Sequence, residues 1–297
     1  MRVFVTGASG FVGSAVVRDL IDAGHEVLGL ARSDAAANAI TSAGARVLRG
    51  SLEDLESLTS GAAGSDGVIH TGFNHDFTRF KENCEIDRRA IVALGTALVG
   101  TTRPLVVTSG VGLLPPGQLA TEESVPAPSS ANPRIASEEA ARWVADRGVR
   151  ISVVRLAPSV HGDGDHGFVP ILIGIARQKQ LSAYIGEGRN RWPAVHRLDA
   201  ARLFRLAVEK AAEPTCYHGV AEAGIEFREI AEVIGRRLSI PVASVSETDK
   251  TTHFGWFTHF AGLDIPASSA QTQRVLGWRP THAGLLADID RPIYFAD

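Results

Sequence analysis

The chain is poor in several things that would assign it a class outright. Of its 297 residues only two are cysteine, Cys84 and Cys216, and their separation matches neither a metal-ligand spacing nor a disulfide framework. We read both as reduced, buried thiols, with no metal site. No apolar run approaches the roughly 20 residues that a membrane helix needs, so no membrane partner is expected. The amino terminus passes almost directly into R-V-F-V-T, without the charged start and long apolar core of a secretory leader. A cytoplasmic protein is the resulting expectation. Lysine and arginine are scattered with no basic block, and the formal charge is only −3, so there is no electrostatic case for nucleic acid. Internal repeats and low-complexity tracts are also missing.

What the sequence does have is rhythm. Apolar strand-like runs at Val3–Thr6, Glu26–Ala31, Arg46–Arg49, Gly67–Thr71, Leu105–Thr108 and Arg150–Leu156 alternate with helical patterns. In the clearest of these Val12, Val16 and Leu20 recur every four residues and Gly24 ends the run. Strands apolar throughout and separated by helices predict a doubly wound α/β domain with a parallel Rossmann sheet. After about residue 160 the rhythm breaks at the polar loop Asp163-Gly-Asp-His-Gly, and again at Gly186-Glu-Gly. A helix over Leu198–Ala212 and a strand over Cys216–Ala221 would return to the sheet. The expected division is a dinucleotide-binding domain over residues 1–160, completed near 192–221, and a smaller substrate lobe from 161–191 and 222–297.

The strongest motif is T-G-A-S-G-F-V-G, residues 6 to 13. It follows the first strand and opens the first helix, the context that gives a glycine pattern meaning. Gly7 permits the tight turn, Gly10 lets backbone approach a pyrophosphate, and Gly13 allows close helix–strand packing, leaving helix N–H groups facing the phosphates. The second strand ends Leu30-Ala31-Arg32-Ser33, without the acid that would hold an NAD ribose. A guanidinium suits a 2′-phosphate, so Arg32 and Ser33 favour NADP(H) over NAD(H). Asp34, slightly late, is free to cap the next helix.

This glycine spacing resembles the extended short-chain dehydrogenase/reductase family, relatives of the NAD-dependent epimerases and dehydratases. Further segments are similar in order: G-V-I-H-T-G-F (67–73), V-V-T-S-G-V-G (106–112), R-L-A-P-S-V-H-G (155–162), W-P-A-V-H-R-L-D-A-A (192–201) and L-G-W-R-P-T (276–281). The resemblance covers nearly the whole chain. It implies cofactor contacts from Ser9, Phe11 and Val12 beside the glycines, and from Ser51, Leu52, Thr71, Gly72, Phe73, Thr108, Pro158 and Val160. The family's Tyr-x-x-x-Lys is absent, however. Its slots read Arg134 and Glu138, within N-P-R-I-A-S-E-E-A-A (132–141). Tyr184, Tyr217 and Tyr294 are the only tyrosines, and none is followed by lysine at the fourth position. The chain looks like an atypical member of that family.

Replacement chemistry must come from other side chains. Arg134 can polarise a carbonyl or bind a carboxylate, although a guanidinium releases protons poorly. A bland alternative stays open, in which Asn132 caps the helix, Pro133 occupies its first turn and Arg134–Glu138 is a surface i,i+4 pair. Histidine is the better proton carrier. The sixth-strand resemblance puts His161 beside the nicotinamide. His75 and His166 lie on loops after strands, and His75-Asp-Phe-Thr-Arg79 forms a His-x-x-x-Arg. His196 starts a helix with Asp199, and Ser109 either meets the substrate oxygen or finishes its strand. The aromatic run H-F-G-W-F-T-H-F (253–260), with Trp256, and the separate Trp192 line either a pocket or the lobe core.

The expected function is an NADP(H)-dependent oxidoreductase of a small apolar or aromatic carbonyl or alcohol, with Ser109, Arg134, His161 and His75 as catalytic candidates. His166, Trp192, His196 and Trp256 are the substrate-contact candidates. A non-catalytic NADP(H)-binding sensor or scaffold is the alternative, and an epimerase or dehydratase a third. A small-molecule substrate is the main partner, with a homo-oligomer left open.

Overall fold

The computed structural model describes residues 1–211 and 216–296. Strands β1 to β12 are Arg2–Thr6, Glu26–Ala31, Arg46–Arg49, Gly67–His70, Leu105–Gly110, Ile151–Leu156, Ser159–His161, Ser182–Ile185, Arg191–His196, Cys216–Gly219, Glu222–Glu226 and Val242–Val245. The longer helices α1 to α8 are Phe11–Asp22, Asp34–Ser42, Leu55–Ala63, Phe80–Thr96, Ala136–Ala145, Phe168–Lys179, Arg197–Lys210 and Phe227–Leu238.

Seven strands form one parallel sheet in the order β10-β6-β5-β4-β1-β2-β3. The fold is a doubly wound Rossmann-like α/β sheet, as the apolar runs require. Val3, Phe4 and Val5 of β1 are completely buried because helices cover both faces. On one face Val16, Val17 and Leu20 of α1 pack with Leu203, Phe204 and Ala207 of α7. On the other, Ile91 and Leu94 of α4 meet Ala140, Ala141 and Val144 of α5. Strand order reverses between β1 and β4, and that switch point is where an open sheet forms its ligand crevice.

The expected return segments are both there: α7 stops at Lys210, while the Ala212 end of that expectation lies outside the described residues, and β10 joins β6 in parallel. The lobe has more order than sequence suggests. Strands β11-β9-β7 form one small sheet and β12-β8 another, and α8 runs twelve residues. These strands are three to six residues long, and β9 contains Pro193, so neither alternation nor length marks them. A separate core, with Trp192, Phe227, Ile230, Phe254 and Phe257, holds the lobe together.

Candidate active site

The glycine loop leaves β1 and enters α1 at the switch point. Gly7 has φ of +69°, a left-handed backbone that favours glycine, and its carbonyl accepts from Gly10 N at 2.9 Å. A methyl added at Gly13 would sit 2.0 Å from that carbonyl oxygen, and one at Gly7 only 2.7 Å from Gly72 N. Gly10 caps α1 without a side-chain bond, and the first turn holds no acidic residue. Its N–H groups are therefore left for an anion, and the donor set fits a dinucleotide diphosphate.

Neighbouring segments brace this turn. Thr71 Oγ1 donates to Thr6 O at 2.8 Å, and Gly72 N donates to Thr6 Oγ1 at 3.3 Å. Leu52 reaches over Gly72, while Ser51 Oγ accepts from the backbone of Glu53 and Asp54. Ser9 is exposed at the loop tip, Val12 and Val160 are half-buried against the core, and Pro158 is half-buried between β6 and β7. Phe11 lies between the Arg197 guanidinium, 4.8 Å above its ring, and the edge-on His166 ring at 5.6 Å.

At the end of β2 the acid question resolves sterically. Ser33, rather than Asp34, caps α2, accepting from Ala36 N at 3.2 Å. Asp34 instead pairs with Arg49 at 2.6 Å. Arg49 ends β3 directly opposite Ala31, so it stands beside exposed Arg32, which no carboxylate of the described residues engages.

The Arg134 and Glu138 slots are not a surface pair. Arg134 belongs to the 3-10 turn Pro133–Ile135 ahead of α5, capped by Asn132 through a bond from Arg134 N at 3.1 Å. Its Nη1 donates to Asp87 Oδ2 at 3.0 Å and contacts Ser137 Oγ, and its Nη2 donates to Thr108 O at 3.2 Å. The guanidinium sits 4.3 Å from the centre of the Phe73 ring. Glu138 turns inward, where Arg155 donates to both its oxygens at 2.8 and 2.7 Å and Ser109 Oγ donates at 2.7 Å. Glu138, Arg155 and Asp87 are buried and Arg134 is half-buried, and an uncompensated buried charge costs far more than a surface pair returns. Despite burial, which acts the other way, the Arg134 charge, together with His70 and Ser137, holds the Asp87 carboxyl below its ordinary range. Arg155 does the same for Glu138. The Ser109 proton is committed to Glu138, and Thr108 Oγ1 donates to His70 O at 2.8 Å.

The histidines separate into two groups. His161 is fully buried, with Nδ1 2.8 Å from Asp288 Oδ2 and Tyr294 closing over the same carboxylate. Burial lowers its pKa even against Asp288, and a ring with no exposed surface does not reach a cleft. Its sequence placement beside the nicotinamide could not foresee a partner 127 residues away. His196 caps α7 from Leu198 N at 3.3 Å and stacks on His282, with centroids 4.7 Å apart. Burial and then the flanking His161 and His282 push it down to about 4. His75 and His166 lie on exposed loops at the crevice. Loss of water around the His75 ring, then the charges of Arg134 and His166, lower its pKa, and the His75 ring lies 5.1 Å from that of Phe73, over which Arg134 sits. Arg79 is not part of this group, since it pairs with Glu82 in solvent. Asp165 of the same polar loop, one residue before His166, carries no mark in sequence of its half-buried place, where burial raises its carboxyl to about 6.

The aromatic run divides by side. Phe254 and Phe257 are lobe core, but Trp256 is 59% exposed, with its ring 5.6 Å from Phe77 across the cleft. Phe77 continues to Phe80, and Phe80 to Phe73 beneath Arg134. Trp192 does not join this wall. It has no exposed surface and is packed by Phe168, Phe227 and Phe257, so its reading as a substrate contact is corrected to lobe core. Burial raises the Cys84 thiol to about 11 and that of Cys216 to about 12. Among the described residues no cluster could hold a metal ion, and no helix is long and apolar enough to cross a membrane.

Comparison with known proteins agrees with this layout. A model of the NAD dependent epimerase/dehydratase family matches residues 3–218. An uncharacterized protein of Schizosaccharomyces pombe is 52% identical over 297 residues, covering 99% of this chain and 100% of its own. A 2-alkyl-3-oxoalkanoate reductase of Stenotrophomonas maltophilia is 30% identical over 234 residues, 74% of this chain and 69% of its own. Among solved structures, the dTDP-glucose 4,6-dehydratase DesIV of Streptomyces venezuelae, with NAD bound, superposes with a TM-score of 0.77. It is 21% identical, covering 99% of this chain and 97% of that one, a likeness of fold.

Proposed function

Because the chain belongs to the NAD dependent epimerase/dehydratase family, we propose that it is an NADP(H)-dependent oxidoreductase of a small apolar or aromatic carbonyl or alcohol. The observation that carries this reading is the Arg134 guanidinium, fixed by Asp87 and Thr108 O over Phe73, the ring that ends the aromatic wall beside the glycine loop. Gly7, Gly10, Gly13 and the α1 N-terminus would hold the dinucleotide, with Arg32 and Arg49 placed to meet a 2′-phosphate, and when bound it would supply the hydride for a carbonyl carbon. Arg134 stabilises the oxyanion that develops there. His75 delivers the proton and recovers one from solvent. Phe77 and Trp256 face one another where an apolar or planar substrate would enter, and His166 stands beside Phe11 at the same mouth. A relative named as an oxoalkanoate reductase supports carbonyl chemistry over sugar chemistry.

A second reading has its own observation: both family slots are engaged in ion pairs, the half-buried Arg134 with Asp87 and the buried Glu138 with Arg155. In that case the chain binds NADP(H) as a sensor or scaffold without turnover. Reduced-nicotinamide absorbance, followed over a panel of aromatic and aliphatic aldehydes and ketones, separates the two. The oxidoreductase reading predicts substrate-dependent NADPH oxidation. Tight NADPH binding with no turnover across the panel would leave the sensor.

A further inference from the structure

A chain of buried polar groups runs behind Arg134 and has no part in binding either reactant. Thr6, His70, Asp87 and Ser137 are each at most 1% exposed, and they come from β1, β4, α4 and the start of α5. Thr6 Oγ1 lies 2.6 Å from His70 Nδ1, and His70 Nε2 lies 2.9 Å from Asp87 Oδ1. The other Asp87 oxygen accepts from Arg134 Nη1 and from Ser137 Oγ.

One proton arrangement satisfies every member. Gly72 N–H donates to Thr6 Oγ1, the Thr6 hydroxyl to Nδ1 of a neutral His70, and His70 Nε2–H to Asp87 Oδ1. Asp87 stays ionised opposite Arg134, and a fully satisfied buried network is rigid. Thr6 is the first residue of the glycine motif, so the carboxylate that holds Arg134 hangs from the dinucleotide turn itself.

Resting on the oxidoreductase reading, we infer that Asp87 is a positioning residue: it fixes the direction of the Arg134 guanidinium and, through His70 and Thr6, ties that direction to the cofactor loop. The residue's contribution is orientation. A guanidinium held on Nη1 by Asp87 and Ser137 and on Nη2 by Thr108 O cannot rotate about its Nε–Cζ bond without breaking these bonds, so its remaining edge keeps one aim. Asn at position 87 could accept from one donor but would leave Arg134 without its countercharge.

The test compares wild type, Asp87→Asn and Ser137→Ala in kcat and KM for the carbonyl, in NADPH affinity, and in the Nη proton signals of Arg134 assigned by their loss in Arg134→Lys. The wild type is expected to show resolved, slowly rotating Nη protons. Asp87→Asn is expected to average them and to lower kcat about 100-fold, while NADPH affinity is kept and KM changes less. Should Asp87→Asn fail to fold, Ser137→Ala carries the test, with the same signals broadened and a smaller fall in kcat. Unaltered kcat, a raised KM alone, or Nη signals that stay resolved in the variant would overturn the inference. If the wild type reduces no carbonyl, the oxidoreductase reading has failed separately, and the Nη signals alone decide whether Asp87 fixes Arg134.

Discussion

Arg32 follows the end of β2 and Arg49 ends the adjacent β3, and of the two only Arg49 has a carboxylate partner, in Asp34. Charge-assisted bonds to a phosphate are each worth about 1.5–3 kcal/mol. Arg32→Ala is therefore expected to weaken NADPH binding about tenfold or more and leave NADH binding nearly unchanged, as titration of each nucleotide would show. Equal losses for both would remove Arg32 from the 2′-phosphate. His75 makes a second residue-level prediction. Its pKa lies below the ordinary 6.5 because burial and Arg134 disfavour the imidazolium. Carbonyl reduction consumes a proton and needs that imidazolium, so kcat for reduction should fall as pH rises through this lowered pKa. Alcohol oxidation should rise over the same range. In His75→Gln both profiles should flatten. An exposed arginine and no acid just after β2 were legible because both are local facts. Asp87 was not, because 47 residues separate it from Arg134 and nothing in its helix distinguishes it from a solvent-facing acid.

At the scale of elements, the six strands and the helices between them were readable because two-faced burial makes the central strands apolar throughout, while edge strand β3 keeps arginines at both ends. The 253–260 run was ambiguous for a physical reason: on short helical turns, neighbouring aromatics face opposite ways. Phe254 and Phe257 enter the lobe core, while Trp256 meets Phe77. Trp192 lies on β9 with its ring wholly enclosed. Trp192→Ala should thus cost about 3–5 kcal/mol of stability. Trp256→Ala, at a site 59% exposed, should cost little stability and instead raise KM for an aromatic substrate. Denaturant unfolding alongside steady-state kinetics checks the pair, and the opposite pattern would reverse the assignment of the two indoles.

Across the whole molecule, the lobe is fastened to the sheet by contacts distant in sequence. Asp199 of α7 accepts from the backbone of Thr281 and His282, and Trp278 Nε1 donates to Asp199 O at 2.9 Å. This fastening explains why two family-like segments far apart in the chain, 192–201 and 276–281, occur together. His161 is closed to solvent by a contact inside the lobe, its bond to Asp288. The cleft left between sheet and lobe has one guanidinium where the family keeps its tyrosine. NADPH-driven carbonyl reduction by Arg134→Ala against wild type tests that replacement most directly. The account predicts a fall in kcat/KM of about 100- to 1,000-fold, the usual loss of an oxyanion donor, with NADPH affinity retained. Equal rates in the two proteins would contradict it.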